Sequence, residues 1–117
     1  MSRINTGEVM ITLNGEERVL KPTLRAITMI SSQYGGLAKA RDALAQQDFQ
    51  AAATVIRWGL NMPDSEAKKL PDQLFATGMT VDLLVPLIRY IGILANGGKP
   101  LPDDPVELDD ASAEGNA

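Results

Sequence analysis

Hydrophobic positions alternate near the start of the chain. Over residues 9–13, "VMITL", every second residue is a large aliphatic one, and Asn14-Gly15 follows directly. A period of two predicts a half-buried strand, and an Asn-Gly pair favours a two-residue hairpin turn because both residues accept positive φ. With the return strand over 16–20, Val9 pairs with Leu20. We therefore predict a β-hairpin, which must pack on the rest of the chain because two strands alone are marginally stable.

After residue 23 the period changes to that of helices. Thr23 follows a proline and is a predicted N-cap, and Leu24 begins an inward-facing apolar stripe that ends at Gly35-Gly36. Pro86 lies within the last helix, where it either kinks the helix or marks its start. The further predicted helices cover residues 37–47, 49–60, a short segment from 64, 71–77 and 81–95. The predicted fold is mainly α with an N-terminal β-hairpin, a small α+β single domain of four to six short helices.

Charge divides the chain into two parts. The 117 residues carry a net charge of −4, and the segment from Lys99 onward holds six acidic residues and one lysine. Residues 1–98 hold ten basic and nine acidic side chains, a net charge of +1. We predict a domain over 1–98 and a disordered acidic tail over 99–117. Because the domain is close to neutral and shows no basic face, nucleic acid is not an expected partner.

Composition argues against catalysis. The chain contains neither cysteine nor histidine, so disulfides, the commonest general base and the commonest zinc ligand are all missing. We expect no enzymatic activity, no cofactor and no metal. The most apolar stretch, residues 79–95, contains Asp82, Pro86 and Arg89 and is shorter than a clean membrane span, and no signal peptide is recognisable. We expect a soluble protein that does not bind membranes.

The last predicted helix is apolar on all sides. Asp82 and Arg89 are its only charged residues, whereas a surface helix normally shows a polar face. It is therefore either the central helix of the domain or a helix whose second face meets another chain. Trp58 has the same two interpretations, as core residue or partner anchor. The candidate partner-binding residues are Leu83, Leu84, Leu87, Ile88 and Ile91 of this helix, Trp58, and Met10 and Thr12 of the hairpin.

The order of these features resembles a known family. The segment "GEVMITLNGEERVLKPTLRAITMISSQYGGL" is similar to the opening of the tail assembly chaperones of long-tailed phages and gene transfer agents. The shared features are a strand, a glycine-containing turn, a returning strand, a basic-Pro-Thr junction and a helix that ends before glycine. The later "DFQAAATVIRWGL" resembles a further helix of that family, so the similarity covers about residues 7–95. Ser31-Ser32 departs from it, since the family often has a glutamate there.

This resemblance implies a function that composition does not. Such chaperones bind the tape-measure protein in the bacterial host cytoplasm, keep it soluble while the tail tube assembles, and are absent from the mature particle. Self-association and a frameshifted longer form are further expectations from the family. Two alternatives stay open: a structural tail or connector component of the virion, and a small helical DNA-binding regulator.

Overall fold

A two-stranded antiparallel hairpin followed by six helices forms the fold, which a computed structural model describes for residues 7–102. The predicted fold class is confirmed. The predicted disordered tail lies, from residue 103 onward, outside the described residues. Leu101 is half-buried and packs against the core, so packing continues past residue 98. The elements are β1 (Val9–Leu13), β2 (Glu16–Leu20), α1 (Leu24–Tyr34), α2 (Leu37–Ala45), α3 (Phe49–Gly59), α4 (Asp64–Ala67), α5 (Leu70–Thr77) and α6 (Val81–Ala95).

The hairpin has the predicted turn and register. Asn14 and Gly15 both have positive φ, 53° and 82°, which matches the right-handed twist of the two strands. Val9 pairs with Leu20, as the two-residue loop requires. Along β1 the side chains alternate between buried and exposed, with Val9, Ile11 and Leu13 facing the helices. The hairpin therefore packs with one face against one side of the helical core.

Local signals set most helix ends. The Thr23 hydroxyl accepts a hydrogen bond from the Ala26 N–H at 3.0 Å, and the Asp48 carboxylate accepts from the N–H of Gln50 at 2.9 Å. Gly35 ends α1 with a φ of 75°, a left-handed conformation that glycine enters without strain. The remaining boundaries differ from the prediction by a residue or two, because helix ends fray over that distance.

Helix α6 is the central helix of the domain. It packs against β1, α1, α2 and α3, and this explains its apolar circumference. Tyr90 of α6 is fully buried, and its hydroxyl donates to the carbonyl of Lys21 at 2.6 Å. The helix begins at Val81, so Pro86 lies inside it and does not mark its start. Having no N–H, Pro86 cannot donate to the carbonyl of Asp82.

One close approach fixes how the hairpin meets the helices. A Cβ on Gly59, at the end of α3, would lie 2.7 Å from Leu20 Cδ2 and 3.3 Å from Tyr90 Cε2. The Gly59 carbonyl also accepts a hydrogen bond from the Lys21 N–H at 3.0 Å. The end of β2, the end of α3 and the middle of α6 thus meet at a point where any side chain larger than that of glycine would displace Leu20.

Candidate functional site

The predicted partner-binding residues of α6 lie in the core. Four of the five residues are at most 6% exposed, and Ile88 is half-buried. The four buried side chains cannot contact a partner unless the domain opens, whereas Ile88 keeps part of its surface exposed. Of the two interpretations of α6, the packing supports the central helix, and a role of these residues in partner binding stays a prediction. The five residues are Leu83, Leu84, Leu87, Ile91 and, half-buried, Ile88.

Trp58 is also buried, with 6% of its surface exposed. The guanidinium groups of Arg25 and Arg57 lie 5.3 Å and 4.6 Å from its ring centroid. Arg57 in turn forms an ion pair with Asp64. The indole N–H has no hydrogen-bond partner among residues 7–102. The two cations cover the ring, so Trp58 is a packed residue and not an exposed anchor.

Met10 and Thr12 are the two predicted residues that reach the surface. Both lie on the outer face of β1, and Met10 is 52% exposed. They border a groove of about 290 Å³ between β1 and the junction of α5 with α6. We call this the β1 groove. It is lined by Met10, Ile11, Thr12, Thr77, Thr80, Asp82 and Leu83.

The α5–α6 junction is fastened to the turn of the hairpin. The N–H of Asn14 donates to the Thr77 hydroxyl at 2.6 Å, and that hydroxyl donates to the carbonyl of Gln73 at 2.9 Å. The threonine therefore connects the last turn of α5 to the end of β1. This connection fixes the far wall of the β1 groove relative to the strand.

The strand that borders the groove has an open edge. In a hairpin with a two-residue loop, Leu13 and Glu16 form the first hydrogen-bonded pair, and the pairs then alternate. Met10 and Thr12 are therefore in non-hydrogen-bonded pairs with β2, and their backbone groups point away from it. Neither residue's backbone bonds to any other part of the described chain. Such an edge is a template for another strand.

Helix α6 carries exposed apolar side chains next to its groove-lining residues in the sequence. Val81 and Val85 are 70% and 54% exposed, and they are one helical turn apart next to groove-lining residues. Sequence reasoning missed both, because an all-apolar helix gives no signal of which side is outward. Phe75 and Leu24 are also exposed, at 83% and 81%. Leu24 was expected to face inward, but it is the first residue of α1 and lies at the margin of the core.

Reactive chemistry is sparse in the described part of the chain. Between residues 7 and 102 there is no group of three or more acidic side chains that could hold a metal ion. Burial raises the pKa of Tyr90 well above its ordinary value. Burial, with a smaller effect of Asp48, also raises the pKa of Tyr34. Each described helix is too short or too polar to cross a lipid bilayer. The surface offers backbone hydrogen bonds and apolar contacts.

Comparisons with known proteins identified no similar protein. No protein-family model, no curated protein and no solved structure matched this chain.

Proposed function

We propose that this chain is a phage or gene-transfer-agent tail assembly chaperone that binds the tape-measure protein and keeps it soluble during tail tube assembly. The sequence resemblance over residues 7–95 supports this proposal. The structural observation that carries it is the open edge of β1 with the exposed side chain of Met10. Val81 and Val85 are also exposed, on the first two turns of α6, whose residues Asp82 and Leu83 line the groove. The protein acts in the bacterial host cytoplasm and leaves before the particle is complete.

The size of this surface suits a chaperone that must release its client. Burial of about 200 Å² of apolar surface is worth about 5 kcal/mol before the costs of association are subtracted. A contact of that size holds a client weakly and reversibly. The six acidic residues after Lys99 give each chain a net negative end, and like-charge repulsion between such ends keeps apolar complexes dispersed.

Co-expression with a tape-measure protein tests the proposal. The soluble fraction of the client is expected to rise when the two are made together, and the two are expected to co-purify. Val85→Asp, which adds a charge to the exposed side of α6, should reduce the soluble client. Ala38→Asp is the matched control, because Ala38 is also exposed but lies on α2. A client that stays insoluble in both the presence and the absence of the chain contradicts the proposal.

Mass spectrometry of purified particles separates the chaperone from a structural component. A chaperone is expected at trace level in the finished particle, whereas a tail or connector subunit is present in stoichiometric amounts. Abundant peptides of this chain in particles would therefore reject the proposed role.

A further inference from the structure

We propose that the β1 groove binds an extended, positively charged segment of the client as a third strand beside β1. This inference rests on the proposed function and names the part of the client that is recognised. The recognising groups are the backbone N–H and C=O of Met10 and Thr12, together with the carboxylate of Asp82.

The hydrogen-bonding pattern of the hairpin requires a partner of this shape. Met10 and Thr12 each present one donor and one acceptor to the groove, two residues apart along β1. Only a backbone in the extended conformation presents complementary groups with that spacing. A helix satisfies its own backbone groups and cannot pair with them. The occupant is therefore a strand, and its recognition does not depend on most of its side chains.

The far wall of the groove disfavours a second copy of the hairpin as the occupant. Thr77, Thr80 and Leu83 line the groove opposite β1, and the bond between Asn14 and Thr77 holds this wall in place. A second copy would bring its own α5–α6 junction to the same edge, where the two junctions would compete for one space. A free segment carries no such junction and meets no such competition.

Charge determines which free segment is favoured. Among the described residues that line the groove, Asp82 is the only charged one. Glu17 lies on β2 directly opposite Thr12. The chain's own residues 103–117 contain six acidic and no basic residues, so both carboxylates repel them. A segment in which lysine or arginine alternates with small apolar residues complements the carboxylates and the neighbouring Met10 and Leu83.

A proline substitution tests the edge without breaking the hairpin. Thr12→Pro removes an N–H that points into the groove, and proline is tolerated on edge strands for this reason. Thr12→Val keeps the N–H and has nearly the same size, so it is the matched control. Both variants should unfold cooperatively at urea concentrations close to that of the wild type. Thr12→Pro should bind an extended segment about five- to tenfold more weakly than Thr12→Val.

The probe is a capped six-residue peptide of alternating lysine and valine, added to the full-length chain. Amide hydrogen exchange followed by NMR should show that the peptide protects the N–H groups of Met10 and Thr12. The N–H of Ile11 already bonds to β2 and serves as the internal reference. Failure to protect Met10 and Thr12, or equal binding to Thr12→Pro and Thr12→Val, overturns the inference. Equal binding of a peptide of alternating glutamate and valine overturns its charge requirement.

The same variants in the co-expression assay separate the two proposals. If the wild type solubilises the client and Thr12→Pro does so equally well, the strand-addition inference fails while the chaperone proposal stands. If the wild type does not solubilise the client, the chaperone proposal fails, and the peptide experiment still decides whether the groove accepts a strand. Sedimentation of the free protein decides about a second copy. A dimer that Thr12→Pro abolishes would show that another copy occupies the edge, which overturns the inference.

Discussion

Two neighbouring residues of α6 test the packing and the surface together. Leu84 is 6% exposed and Val85 is 54% exposed, so substitution by aspartate should unfold the domain at Leu84 and leave it folded at Val85. Leu84→Asp removes a buried aliphatic side chain, which costs about 2–5 kcal/mol. It also places a carboxyl in the core, where a pKa raised by about 3 units costs about 4 kcal/mol at neutral pH. The total approaches the whole stability of a domain, about 5–15 kcal/mol.

Val85→Asp places its carboxyl in solvent and should change the free energy of unfolding by less than about 1 kcal/mol. Circular dichroism during thermal and urea unfolding at pH 7 measures both variants. Leu84→Asp should be largely unfolded and Val85→Asp should unfold like the wild type. Lower pH should partly restore Leu84→Asp, because the folded state raises the pKa of the introduced carboxyl and therefore binds its proton more tightly than the unfolded state.

The refuting result is a cooperative Leu84→Asp protein whose melting temperature at pH 7 lies within a few degrees of the wild type. Such a result would mean that this side of α6 faces solvent, and the arrangement of the hairpin over α6 would be wrong. If Leu84→Asp unfolds and Val85→Asp stays folded but solubilises less client, the binding surface is the outer side of α6 and the adjoining groove.

Three further substitutions examine the packing, the buried phenol and a helix cap. Gly59→Ala should lower the free energy of unfolding by about 1–2 kcal/mol in urea titrations, because overpacking against buried Leu20 exceeds the gain in helix propensity. Gly92→Ala is the control, since its new Cβ meets only the half-buried side chain of Leu101. An equal loss of stability in Gly92→Ala would contradict this reasoning. Tyr90→Phe should cost about 1 kcal/mol through the lost hydrogen bond. It should also flatten the loss of stability above pH 10: the raised pKa of Tyr90 stabilises the fold below the ordinary tyrosine value of 10.0, and this contribution is lost as the pH rises. An unchanged dependence of stability on alkaline pH would argue against this. Asp48→Ala should cost about 1 kcal/mol of cap energy, measured by urea unfolding, whereas Asp48→Asn should cost less.

The hairpin and the helix ends could be predicted from sequence because their signals are local. Asn14-Gly15 fixes both the turn and the register, since a two-residue loop leaves one way to pair the strands. Thr23 and Asp48 place helix starts through side-chain bonds to backbone groups two or three residues away. No contact between distant parts of the chain is needed to read such signals.

The location of the binding surface could not be predicted, because it depends on long-range packing. Helix α6 is apolar on all sides, so its sequence does not tell which side faces β1 and which faces solvent. The sequence therefore leaves α6 open as a central helix or a partner-facing one, and only the packing shows that four of its five candidate residues are buried and that Ile88 is half-buried. The groove forms because Thr77 lies against Asn14, 63 positions away in the chain. No spacing in the sequence predicts this contact. Met10 and Thr12 could be found because strand alternation alone places them on the outer face.

Lys21 has a consequence for the order of events during synthesis. Its N–H donates to Gly59 and its carbonyl accepts from Tyr90, so the segment that leaves the hairpin is held by the third and the sixth helix at once. A nascent chain that has not yet released Tyr90 from the ribosome lacks one of the two backbone anchors of Lys21 and the packing of the second half of α6 in the core. Competence to bind a partner then arises only after nearly the whole domain has been translated. Any extension appended after residue 102 would emerge beside an already finished body.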